Sequence, residues 1–196
     1  MKQIHSKTKS HKNRRGIAIL WLILWGSVFL TFFCGVLEIA TMWQAQVEIK
    51  NSLDAAALAA VQEWGDSGVG LTDIPRDVGV AYVEANPILG VAFMPTTNLG
   101  TVTLANPNAN ASNTGDFVFG AIDTTTDPIT FNGNAETSCA GGGFPAVIAQ
   151  VTVPTQGFCS ALFGVSIFNV SSQSIAYYDC GSGRASLVSV DNIIPP

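Results

Sequence analysis

Histidine is nearly missing from this chain. Its two histidines, His5 and His11, sit in the first fifteen residues, so nothing from residue 16 to 196 offers an imidazole base. A Ser-His-Asp or Cys-His arrangement is therefore excluded within the main body of the chain. Other catalytic signatures are missing too. There is no P-loop and no H-E-x-x-H, and the nearest approach to G-x-S-x-G, Gly164-Val165-Ser166-Ile167-Phe168, breaks at its last position. Gly141-Gly142-Gly143 lacks the lysine and the strand–helix frame of a phosphate cradle. No CxxC or Cys/His spacing suggests zinc, and the spacing of Asp116, Asp123 and Asp127 fits no EF-hand. The chain reads as a non-enzyme with no cofactor, no metal and no small-molecule substrate.

Basic residues are scarce after residue 15. Residues 1–15 hold six of the nine (Lys2, Lys7, Lys9, Lys12, Arg14, Arg15) and no acid. The rest holds Lys50, Arg76, Arg184 and all fourteen acids, a net charge of −11. The segment directly after this basic head argues against nucleic acid as its partner. Gly16–Leu37 is 22 residues long with no charge and two hydroxyls, Ser27 and Thr31. At ~1.5 Å per residue it reaches roughly 33 Å, enough for the ~30 Å hydrocarbon core of a bilayer. The positive-inside rule puts residues 1–15 in the cytoplasm and residues 38–196 on the far side, with Trp43 at the outer interface. A cleaved signal peptide has a shorter apolar core and a small-x-small cleavage site; Glu38–Trp43 offers none, so the anchor is expected to stay.

Glycine and proline are absent from Glu38 to Trp64. Apolar residues there recur at helical spacing (Ile39, Met42, Trp43, Ile49, Leu53, Ala56, Ala57, Ala60, Trp64), with Gln44, Glu48, Asn51, Asp54 and Gln62 opposite. The spacing predicts one helix from about Gly16 to Trp64, roughly 70 Å long, that protrudes from the membrane by several turns and stops at Gly65, Gly68 and Gly70. A second helix is predicted over 73–87, with Asp73 as N-cap and Asn86-Pro87 as its end.

From Ile88 onward charge is sparse and Gly, Asn, Thr and Ser are frequent. Strand-prone runs appear at 101–104, 115–122, 128–131, 146–153 and 174–178, with a further strand-prone tail at 184–190 and a helical turn at 158–165. The expected architecture is α+β: a long transmembrane-plus-stalk helix followed by a small antiparallel β-rich ectodomain. The parts are 1–15 basic head, 16–37 span, 38–64 helix extension and 65–196 β-rich domain. Cys34 falls in the span. Cys139, Cys159 and Cys180 fall in an oxidising space, where three thiols allow at most one internal bridge. Cys139–Cys159, Cys159–Cys180 and three free thiols all stay open.

Arg14-Arg15-Gly16, the apolar span, Glu38, and then Asn51-Ser52-Leu53-Asp54-Ala55-Ala56-Ala57-Leu58-Ala59-Ala60 resemble the N-terminal region of TadG-like (TadE/TadG-like) Flp/Tad pilus-assembly proteins. That family typically carries an acid after the span and an N-x-x-D-A-A-A-L-A run later; Glu38 stands where aspartate is common. Gly115–Gly120, Ala146–Thr155, Phe163-Gly164-Val165 and Val170–Ala176 resemble its later part more loosely. The resemblance implies a pseudopilin-like component of the bacterial inner membrane, with a periplasmic domain and other Tad/Flp pilus-assembly proteins or pseudopilins as partners, and it implies no activity. A cleaved filament-forming pilin is disfavoured. Such prepilins carry Glu five residues past the cut, where this chain has Trp21.

Two roles are open for the helix. The small face of Ala55, Ala56, Ala57, Ala59 and Ala60 suits close packing, against a partner helix or against the chain's own ectodomain. Glu38 suits pairing with a partner's amine or simple solvation, and Asp54 suits a solvated or capping role with Lys50 within i,i+4 reach. An alternative function is a membrane-tethered extracytoplasmic adhesin or ligand-binding module.

Overall fold

The computed structural model describes residues 15–95, 108, 116–125, 127–133, 139, 143–163, 168–190 and 192–194. The first helix, α1, runs unbroken from Arg15 to Asp66, 52 residues. With no proline in it and no glycine between Val36 and Trp64, nothing interrupts its hydrogen-bond ladder where it meets the rest of the chain. Gly65 does not end it. A Cβ there would overlap the Tyr178 ring, so this glycine serves close packing, and the chain turns at Gly68, whose φ is +79°.

The second helix, α2 (Asp73–Ala85), begins one residue earlier than expected: Thr72 is the N-cap and Asp73 the first helical residue. It ends at Asn86, as Asn86-Pro87 predicts. The strands are β1 (Phe117–Asp123), β2 (Thr130–Asn132), β3 (Gly143–Thr155), β4 (Phe168–Asp179), β5 (Arg184–Leu187) and β6 (Asn192–Ile194), with a short helix α3 (Phe158–Phe163) between β3 and β4. The strand expected at 101–104 lies outside the described residues, as do the basic residues 1–14.

The sheet order is β5-β4-β3-β1-β2-β6. Neighbours are antiparallel except β2 and β6, which pair in parallel, Phe131 opposite Ile193. The α+β expectation holds, and the sheet curls into a half-barrel. Alternation along β1 and β3 divides the side chains between two faces. Phe117, Phe119, Val147, Ala149 and Val151 meet α1, while Val118, Ala146 and Ile148 form a second cluster with Ile122, Phe131 and Ile175.

The helix and the sheet share one core. Ala45, Ile49, Leu53, Ala56, Ala57, Ala60, Val61 and Trp64 are all buried against the head. The Trp64 ring meets Phe119 edge-on at 5.0 Å, and its Nε1 donates to the Gly70 carbonyl at 2.9 Å. Of the two roles open for the apolar stripe, packing against the chain's own ectodomain is the one the structure shows. From Cys34 upward the head lies along α1, because the apolar stripe of that half-helix is what the sheet buries.

The cysteines also differ from expectation. Cys34 pairs with Cys159 and Cys139 with Cys180; neither Cys139–Cys159 nor Cys159–Cys180 forms. Among the three cysteines beyond the apolar run one bridge forms, as their number allows, and the third, Cys159, pairs with Cys34 because α3 packs against α1 low enough to bring the two together.

Candidate functional site

The feature that organises this molecule is the seam between α1 and the head. At its lower end the Glu38 carboxylate is folded under α3. It accepts from the Cys159 N–H at 3.2 Å, the Ser160 N–H at 3.5 Å and the Ser160 hydroxyl at 2.7 Å. These are first-turn donors, which a helix leaves unpaired and which favour an anion. Gly157 makes the approach possible, since a Cβ there would overlap the carboxylate. The Cys34–Cys159 bridge lies one helical turn below and closes 125 residues of chain.

Further up, the polar flank expected to face solvent is largely used by the head. Glu48 accepts from the Leu89 N–H at 2.6 Å. Lys50 pairs with Asp54 at 2.6 Å and also donates to the Gln173 carbonyl at 3.2 Å. Asp54 accepts from the Ser174 hydroxyl. Gln62 accepts from the Ala185 N–H at 2.8 Å. Sheet edges and hairpins present exposed N–H and C=O groups, so a helix beside them needs polar side chains at the margins of its apolar stripe.

At the top, the Tyr178 hydroxyl meets Asp66 at 3.3 Å. Its ionisation is pushed up by desolvation first and then by the negative charge of Asp66. Neighbouring Asp179 is held below the usual carboxylate range by the Ser182 hydroxyl and the Gly181 N–H. Inside the head, burial pulls the Arg76 guanidinium down to about 10, and Asp77 offsets part of that. Arg76 donates to the Phe117 carbonyl and lies 4.6 Å from the Phe119 ring centre. The Asn108 side chain accepts from the Phe119 N–H at 2.8 Å and donates to the Phe119 carbonyl. Together they satisfy the edge of β1 that the three-residue β2 is too short to cover.

Ala56, Ala57 and Ala60 are fully buried in the chain's own core, Ala55 and Ala59 are half-buried, and Asn51 is exposed. Residues that sequence reasoning missed are Cys34, Gly157, Ser160, Ser174, Arg76 and Asn108. Only Cys34 left a signal: three cysteines beyond the span are an odd number, and the fourth stands near its end.

The other side of α1 is bare. Val36, Ile39, Trp43 and Val47 are exposed at helical spacing, continuing the apolar surface of residues 17–33. An open depression of about 590 Å³ between Leu89–Phe93 and the end of β3 is mostly apolar, and another of about 620 Å³ over Gln150 and Ser172 is mixed. Neither gathers charged side chains, and among the described residues no group of three His, Cys, Asp or Glu converges.

Residues 16–63 match the Tad family model, described as "Putative Flp pilus-assembly TadE/G-like". No curated protein and no solved structure matches the chain. The matched stretch is almost all of α1: the bare apolar half together with the half that the head clasps.

Proposed function

We propose, from the TadE/G-like match of residues 16–63, that this chain is an assembly component of a Flp/Tad-type pilus machine. That family is a structural, pilus-assembly family, and the coarse role follows from it. The finer reading is that α1 crosses the bacterial inner membrane once, with residues 1–15 cytoplasmic and the β-rich head periplasmic. Three observations support it. Residues 17–33 are apolar and exposed on every side. The basic residues cluster before them, as in a cytoplasmic flank. Both disulfides suit an oxidising compartment. The span then ends near Phe33, short of Leu37, because Cys34 is bridged to the head.

Partners would be other pilus-assembly proteins or pseudopilins, met through the side of α1 that the head leaves open. Trp43, Val47 and Asn51 lie on that side. The alanine run contributes mainly from within, by letting α1 lie close to α2 and the sheet. A photo-crosslinking residue at Trp43 or Val47, in cells, tests this. Capture of a pilus-assembly protein is expected; Ala57 is unsuitable for the probe because it is buried. Mature protein starting beyond residue 38, or a head accessible only from the cytosol, would overturn the anchored reading.

The tethered ligand-binding module has less support. It predicts that residues 66–196 fold and bind alone, yet eight of the seventeen buried residues of the main core come from α1.

A further inference from the structure

Between Gly16 and Val47, α1 carries one charged side chain, Glu38. Its carboxylate is turned away from the surroundings and held by α3. At the level just above residue 33, large apolar side chains are exposed on both sides among the described residues. Val36 (63% exposed) and Ile39 (59%) are on the open side of α1, and Phe158 (59%), the first residue of α3, is on the head side. Helical geometry puts Val36 about 160° from Cys34 and Glu38 and Ile39 about 100–140° from them, so with Phe158 on the head side they flank the helix within about one turn.

Distance along the helix limits what can cover them. Residues 16–33 reach about 27 Å, close to the thickness of the hydrocarbon core. Val36 and Ile39 stand roughly 4–9 Å beyond Phe33, within the outer headgroup layer of about 5–8 Å or at its edge. Val47 stands roughly 21 Å beyond and is clear of it. A collar of large apolar side chains whose one carboxylate is hydrogen-bonded by α3 fits that layer, where apolar groups enter without leaving polar groups unpaired.

We propose that the foot of the head is a lipid-contacting surface, with Phe158 of α3 and Val36 and Ile39 of α1 seated in the headgroup layer of the outer leaflet. The occupant is lipid rather than a protein partner, because this collar continues the span without a polar break. The Cys34–Cys159 bridge and the Glu38 clasp hold α3 at that height. The head therefore rests flush on the membrane. This rests on the anchored reading above and adds a depth and a contact residue to it.

The test uses the full chain in native membranes with a benzophenone amino acid placed singly at Phe29, Phe158 or Val47, all exposed positions, and lipid adducts read by mass spectrometry. Adducts are expected at Phe29 and Phe158, with loss at Val47. Adducts at Phe29 without any at Phe158 would overturn the foot contact and leave the anchor standing. A protein adduct at Phe158 in place of lipid would overturn it in favour of a docked partner. Absence at both Phe29 and Phe158 would overturn the anchor and the foot together.

Discussion

One helix does two different jobs in two halves. Over residues 17–33, α1 is apolar all round and is left bare by its own chain; over residues 34–66 the head covers one apolar stripe, while Val36, Ile39, Trp43 and Val47 stay exposed on the open side. Backbone geometry is the same throughout. What changes is the angular width of the apolar surface and the solvent that suits it. A helix apolar on every side suits lipid. A helix with one stripe and polar margins suits a sheet, and its margins here meet sheet edges and loops through Glu48, Asp54 and Gln62.

Mutations on either side of residue 34 should therefore separate cleanly. The largest effect is expected from cutting the link at the junction. Replacing Cys34 and Cys159 with serine removes the 125-residue loop closure, at a cost of about 4–5 kcal/mol in the chain-entropy model. Chemical unfolding of the detergent-solubilised full chain measures it. Peptide mapping without reductant should first show Cys34 joined to Cys159.

Next comes the core. Trp64→Ala should lower stability by about 3–5 kcal/mol, since Trp64 is buried against Phe119. Trp25→Ala, in the bare half, should leave head unfolding unchanged. Equal losses from the two would break the comparison between halves.

The clasp is smaller. Glu38→Ala should cost about 2 kcal/mol by leaving the α3 donors unpaired, and Gly157→Ala should act in the same direction by displacing the carboxylate. Protease accessibility near α3 should rise in both while the sheet stays folded.

The smallest effect is pH dependence at the β4–β5 turn. Asp179 is held low in the folded state, so its contribution is present at neutral pH and is lost as pH falls through that lowered value. Tyr178 is shifted the other way, so its contribution is present below the ordinary tyrosine range and is lost as pH rises through the raised value. NMR titration of the turn should show both, with local loosening in acid and in alkali and no global unfolding from either alone.

Much of the architecture was legible because its signals are local. The apolar run, the glycine- and proline-free stretch to Trp64 and the strand-prone run Ala146–Val153 predicted elements that the structure contains. The head–helix seam was harder to read. Whether Glu38 faces water or α3, and whether Gly157 matters, depends on two segments about 120 residues apart. Asn108 and Arg76 were invisible for the same reason: their partner is the backbone of β1, and backbone groups leave no trace in composition. The strand β6 was missed because three residues paired in parallel carry too little pattern.

By itself, the sequence determined the length of α1, the apolar width of each half, the shortage of charge up to Val47 and the lack of a catalytic imidazole beyond residue 15. These follow from residue type and spacing along one chain. Only the tertiary structure decided that Cys34 joins Cys159, that the alanine face is spent on the chain's own core, and that the head lies down the helix to the end of its bare apolar half. The reason is physical: helix periodicity states which side is apolar, but only a packed neighbour decides what covers that side and at what height.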